Sequence, residues 1–305
     1  VIMNSSKIAG NKKPKAILYA LLAAVFYALN VPMSKILLEH VGTTMLAALL
    51  YLGAGIGIGL GAGVAGGIKR LTAKNTEIER LTKKDFPFVV GMILLDIAAP
   101  IFLMLGLHYG TSSNASLLGN FEIVATTVIA LFVFKEAVSK RLWGAIALIT
   151  LSSILLSFEG ADSLHFSYGS LFVLLATTCW GFENNCTRKI SSKNTYEIVV
   201  LKGIFSGLGS MMIAFATGEH LPEIKYIGLA LLLGFVAYGL SIFLYIRAQN
   251  VLGAAQTSAY YAVAPFVGAS LSFLFLREPL TGIYLVALAV MIAGTALVVA
   301  DTLRA

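Results

Sequence analysis

Ten stretches of this chain are apolar almost throughout, at residues 16–38, 44–66, 86–108, 112–134, 142–158, 168–190, 195–217, 225–248, 254–276 and 279–301. A bilayer-spanning helix needs about 20 mainly apolar residues, and each stretch meets or approaches that length. The runs are apolar on all sides instead of alternating in strands of about 10 residues, which argues against a membrane β-barrel. The pattern predicts an all-α membrane protein of ten transmembrane helices. Most connections are short, so sequential helices should lie antiparallel as neighbours. The longest connection, Gly67 to Asp85, is basic.

Polar positions inside the runs occur in a pattern stated twice. Leu21-Leu22-Ala23 followed by Tyr27, Asn30, Ser34 and Lys35 returns 153 positions on as Leu174-Leu175-Ala176 followed by Trp180, Glu183, Thr187 and Arg188. Phe134-Lys135-Glu136 returns 142 positions on as Leu276-Arg277-Glu278. The offset falls because the stretch near Thr217 to Lys225 is shorter than its counterpart, Gly67 to Asp85. The chain therefore reads as two copies of a five-helix module, 16–158 and 168–302, separated by the loop around Glu159 to Ser167. Five crossings is an odd number, so the second copy enters the membrane upside down. Inverted repeats of this kind are the architecture of secondary transporters.

Composition agrees with a bilayer: 58% of residues are hydrophobic and 12% charged, with mean hydropathy +0.87, where soluble domains are roughly a quarter charged. The net charge of +7 does not point to nucleic acid, because its carriers alternate across the ten spans. Eighteen of the 22 Lys and Arg residues fall on the side of the N-terminus, among them Lys12, Lys69, Lys83, Lys140, Arg188 and Arg247. Lys225 and Arg277 fall on the other side, and Lys35 and Lys202 lie within spans. Positive charge stays in the cytoplasm, which predicts a multi-pass protein of the cytoplasmic membrane with both termini inside. The first run lacks a small-residue cleavage site and leads into another span, so it reads as a retained helix.

His40, His108, His165 and His220 scatter along the outer face without metal-ligand spacing. Cys179 and Cys186 lie seven apart on one helix, about 10 Å along its axis, too far for a disulfide. No metal, cofactor or disulfide is implied. Six glycines, Gly53 to Gly63 at every second position, follow no strand and precede no Walker lysine. They read as small-residue ridges for close helix packing.

Ionisable residues near the bilayer centre cost roughly 2.5 to 3.5 kcal/mol each, so each needs a partner, a cavity or a transported ion. Asp96 and Glu122 both fall ten residues into their spans and should sit near mid-membrane, where two carboxylates facing one cavity would suit proton or ion binding. The alternative is that neighbouring polar groups cap each acid and only tie helices together. Glu183 and Lys202 are each seven residues from the inner ends of consecutive spans, about 10 Å deep. Their equal depth allows a contact, serving either as a structural tie or inner gate or as a substrate contact. Tyr27, Asn30 and Ser34 share a helix face, as do Trp180, Glu183 and Thr187. Asn114 corresponds to Gln256 and Leu118 to Tyr260 in the fourth and ninth spans. Tyr238, Tyr260 and Tyr261 offer amphipathic surface for a pocket or for packing. Pro32, Pro100 and Pro265 interrupt spans and free backbone carbonyls, which membrane helices tolerate beside protein or a wet cavity.

These residues resemble the drug/metabolite transporter superfamily, specifically its EamA type. The resemblance spans residues 16 to 302 and rests on Phe26-Tyr27-Ala28-Leu29-Asn30 with Lys35, Trp180-Gly181 with Arg188-Lys189, Lys135-Glu136 and Arg277-Glu278-Pro279. The family's Glu-Pro pair is split here, Glu122 lacking the proline and Pro265 the acid. The resemblance implies alternating access around a central cavity lined by both halves, as in relatives that export amino acids or other small metabolites. On this reading the chain is a secondary transporter and not an enzyme, since no metal cluster or nucleophile motif stands out. It would act as a monomer or homodimer on a small-molecule substrate, with the proton as candidate coupling ion. Asn30, Asn114, Trp180, Tyr238, Gln256 and Tyr260 would contact substrate, Asp96 and Glu122 the ion, and Glu183 and Lys202 the inner gate. The alternative is an importer or facilitator of a cationic metabolite such as a quaternary amine, because aromatic rings beside an acid favour a cation.

Overall fold

The computed structural model describes residues 13–72, 80–135, 139–158, 167–252, 257 and 260–304. Helices account for the regular structure: α1 Lys13–Ala28, α2 Asn30–Leu37, α3 Thr43–Thr72, α4 Phe86–Tyr109, α5 Ser112–Leu118, α6 Phe121–Phe134 and α7 Lys140–Leu156. These are followed by α8 Tyr168–Ile190, α9 Thr195–Ala216, α10 Ile224–Gly234, α11 Ser241–Leu252, α12 Ala264–Leu276 and α13 Gly282–Arg304, with a π-helical turn, Phe235–Leu240, joining α10 to α11. Among the described residues, seven helical stretches are long and apolar enough to cross a membrane: Lys13–Leu37, Thr43–Gly63, Lys83–Tyr109, Ser112–Val133, Thr195–Ala216, Ile224–Leu252 and Gly282–Thr302. Ala264–Leu276 is a shorter apolar helix. α7 has 17 residues, and α8 is more polar, carrying Glu183 and ending on Arg188 and Lys189. Large apolar side chains such as Leu60, Phe132, Met212 and Leu274 project outward, as a surface that contacts lipid requires.

Small residues set the packing. Ala16, Ala20, Ala23, Ala24 and Ala28 form the buried face of α1, which lies against α11; Ser241 Oγ donates to Ala23 O across that contact at 2.8 Å. α3 meets α9 and α10 through glycine: a Cβ on Gly203 would lie 2.3 Å from Gly55 N, and one on Gly53 would lie 2.1 Å from Leu231 O. The ridge predicted from Gly53 to Gly63 is therefore used only at its start, since Cβ atoms on Gly61 and Gly63 would meet nothing within 4 Å. α4 packs on α8, α7 on α13, and α5 on α12. Each of these contacts joins the first half of the chain to the second.

Four helical stretches are discontinuous. The first turns at Leu29, three residues before Pro32, whose missing N–H leaves the Ala28 carbonyl without its helical donor. The fourth breaks at Gly119 and Asn120, between α5 and α6. Ile224–Leu252 carries the π turn, and the helix around Pro265 restarts after a turn at Ala262 and Val263. Pro100 differs from expectation, because α4 runs through it without interruption.

Candidate functional site

The four breaks surround one cavity of about 360 Å³. Its walls include Tyr27, Asn120, Glu122 and Thr126 from the first half and Trp180, Glu183, Asn184, Lys202, Tyr238 and Tyr261 from the second. It extends past Ala130, Leu142, Thr187, Gln249 and Thr302, toward the end of the bundle where Lys140, Arg141, Arg188 and Lys189 cluster. At the opposite end, cross-chain contacts tie the helices together. Glu219 accepts from the backbone N–H of Thr44 (3.0 Å) and Met45 (2.7 Å), filling the open N-terminus of α3. Glu278 accepts from Ser112 and Ser113 N–H, both at 2.7 Å, and does the same for α5. Lys35 Nζ donates to the terminal carbonyls Leu107 O and, at 2.8 Å, Gly110 O.

One wall holds a buried triad of charges. Lys202 Nζ lies 2.9 Å from Glu183 Oε1 and 3.1 Å from Asp96 Oδ2. Asp96 is fully buried, and Tyr51 OH donates to its Oδ1 at 2.7 Å. Thr187 Oγ1 donates to Glu183 from one turn along α8. Lys202 is thus engaged on two sides, between two carboxyl groups in a region where an uncompensated charge is costly.

The adjoining helix, α6, holds Glu122 in its first turn. Asn184 Nδ2 donates to Glu122 Oε1 at 2.6 Å. Among the described residues no ion pair involves Glu122. Around the cavity six rings interlock: Tyr27 lies 6.3 Å from Trp180, 6.0 Å from Tyr238 and 5.8 Å from Tyr261 between centroids, Tyr51 is 5.0 Å from Tyr238, and Tyr245 is 5.0 Å from Tyr261. Such a lining combines apolar area with polar tips.

The EamA-like transporter family matches residues 14–158 and, separately, residues 167–300. The chain belongs to the EamA-like transporter family. An uncharacterized transporter of Methanothermobacter thermautotrophicus is 25% identical over 285 residues, covering 89% of this chain and 82% of that protein. A protein of known crystal structure superposes with a TM-score of 0.68 over 95% of this chain and 97% of its own, at 17% identity, a likeness of fold. This EamA-like chain is accordingly a multi-pass membrane protein of a transporter family.

Within this EamA-like fold the structure distributes the expected site residues unevenly. Trp180, Tyr238, Glu122, Glu183 and Lys202 line the central cavity. Asn30 sits behind its wall, donating from Nδ2 to Tyr238 OH at 3.0 Å and accepting from Ser34 Oγ at 3.0 Å. Asp96 also lies behind the wall, bound to Lys202 and Tyr51, so it does not share the cavity surface with Glu122 as expected. Asn114 is displaced further. It faces a separate crevice with Leu156 and Tyr284, since the break at Gly119 and Asn120 uncouples its helix face from that of Glu122. Tyr261, and not Tyr260, is the ring at the cavity, and Gln256 falls outside the described residues. Tyr51, Asn120, Asn184, Asn185, Tyr245 and Gln249 line the cavity unannounced. A mid-span Gly-Asn pair at 119 and 120 was the signal for one of them, because that dipeptide marks a turn.

Proposed function

We propose that this chain is a secondary active transporter of the cytoplasmic membrane that exports amino acids or similar small amphipathic metabolites by alternating access, with the proton as coupling ion. The observation that carries this reading is the central cavity, lined by both halves of the chain, extending to the basic end and tied shut by Glu219, Glu278 and Lys35 at the other. On the positive-inside rule the basic end is cytoplasmic, as are both termini, so this is the inward-facing arrangement. Ten membrane helices form two inverted five-helix repeats, 16–158 and 168–302. Support comes from the double family match. It also comes from Lys135 and Arg277, equivalent in the two copies, which are the non-glycine residues with left-handed backbone among those described (φ 55° and 52°).

In this reading Trp180 and Tyr238 contact substrate, with Asn30 fixing Tyr238 from behind. Glu122 takes the proton or the cationic group, and the Asp96, Lys202 and Glu183 triad holds the wall around which the halves move. Flux into proteoliposomes tests coupling: a pH gradient should drive accumulation, and Glu122→Gln should abolish that drive. Flux that ignores the gradient, or that survives unchanged in Glu122→Gln, removes proton coupling. The rings around an acid without a cationic partner also favour a second reading, import or facilitated passage of a cationic metabolite such as a quaternary amine. Direction of flux in oriented vesicles separates the two.

A further inference from the structure

Beyond the acid, the cavity contains side chains with nothing to bond. Asn120 is 1% exposed, yet among the described residues neither its Oδ1 nor its Nδ2 has a partner. Ser116, one turn earlier and 4% exposed, has an unpartnered Oγ. Both line the cavity, because the chain turns at Gly119 and Asn120 between α5 and α6. Across from Ser116 stands Gly268, where a Cβ would come within 3.1 Å of Ser116 Oγ; glycine keeps that corner open. Buried amides and hydroxyls are almost always satisfied, so an unpartnered pair on residues that line a cavity marks a place where something else bonds.

The geometry points to a neutral polar subsite at Ser116 and Asn120 which, with Glu122, selects a protonated amine carrying an uncharged donor-and-acceptor group, such as a carboxamide or hydroxyl. This rests on the transport reading above and, within its amphipathic metabolites, favours amino amides and amino alcohols over the amino acids themselves. The ammonium would meet Glu122 and the faces of Tyr27, Trp180 and Tyr261. Two residues away along the chain, Asn120 offers both an acceptor and two donors. A carboxamide answers both, whereas a carboxylate could accept from Asn120 Nδ2 but would offer Oδ1 no donor. Charge balance argues the same way. Lys202 is held by Asp96 and Glu183, so its ammonium is already answered by two carboxyl groups, while Glu122 has only the neutral amide of Asn184 among the described residues. Arg188, the other cation on the lining, lies toward the basic end in the last turn of α8. A zwitterion would place its carboxylate without a counter-charge, and sites built from hydrogen-bonding groups reject mismatched analogues strongly.

Four probes that share an isobutyl side chain test this by calorimetric titration of the purified protein at about pH 6.5, where an α-amine is largely protonated. They are leucinamide (cation with carboxamide), leucine (zwitterion), 3-methylbutylamine (cation alone) and N-acetylleucinamide (neutral). Leucinamide should bind at least tenfold more tightly than the other three. Asn120→Leu should reduce leucinamide to the affinity of 3-methylbutylamine and leave the latter unchanged, whereas Glu122→Gln should weaken both amines. Leucine binding as tightly as leucinamide, equal losses for both amines in Asn120→Leu, no loss in Asn120→Leu, or no binding by any probe would each overturn the subsite. Counterflow in proteoliposomes separates this from the transport reading. Movement of leucine without preference for leucinamide rejects the subsite and keeps transport. Binding of leucinamide without movement keeps the subsite and rejects transport.

Discussion

Two acidic groups border one cavity from adjoining helices, and they differ in whether charge is answered within the protein. On one wall, Glu183 and Asp96 share Lys202, with Tyr51 and Thr187 donating as well. On the other, Glu122 has the neutral amide of Asn184 at 2.6 Å. A buried ion network whose partners are all present adds little net stability, but it fails badly when one member is lost. An acid held by a neutral group alone leaves capacity for an incoming cation or proton. The triad wall is thus expected to behave as scaffold and the Glu122 wall as binding surface.

Substitutions can break this contrast in order of size. Lys202→Met should have the greatest effect, lowering stability by about 3 to 5 kcal/mol because two buried carboxylates lose their cation; thermal unfolding in detergent reads it. Tyr51→Phe removes one hydrogen bond to a charged group and should cost about 1.5 to 3 kcal/mol in the same assay. Glu122→Gln retains an acceptor for Asn184 and should change stability by less than about 1 kcal/mol, while removing ligand binding and gradient-driven flux. Asn114→Ala should be near neutral, within about 0.5 kcal/mol, with flux unaltered, since Asn114 faces the outlying crevice. If Glu122→Gln proves as destabilising as Lys202→Met, both walls are scaffold and the contrast disappears.

How much of this was legible in the sequence depended on helix continuity. Span limits such as 86–108 against Phe86–Tyr109, or 195–217 against Thr195–Ala216, follow from hydropathy alone. The contact of Glu183 with Lys202 followed from depth, because their helices are consecutive and joined by a short turn. Asp96 as third partner was hidden, since depth says nothing about which neighbour a non-consecutive helix meets. α4 lies against α8 across the repeat boundary, and that adjacency is tertiary information. Asn114, Leu118 and Glu122 would share a face at intervals of four in an unbroken helix. The turn at Gly119 and Asn120 resets that phase, which removes Asn114 from the site and brings in Asn120. The same reasoning separates Tyr260 from Tyr261, next to the turn at Ala262 and Val263. Cavity-lining positions were hidden from the sequence mainly where the backbone departs from regular helix, and such departures cluster at the cavity.

The most direct test is whether one position in the cavity can be reached from both sides of the membrane. With Cys179 and Cys186 replaced by serine, Thr126→Cys places a thiol one turn from Glu122 on the lining. A membrane-impermeant maleimide would be added to inside-out and to right-side-out vesicles in turn. The expected result is labelling from the basic, cytoplasmic face without ligand and from the opposite face in a fraction of molecules, with ligand shifting the balance. Labelling confined to one face under every ligand and gradient condition would contradict alternating access.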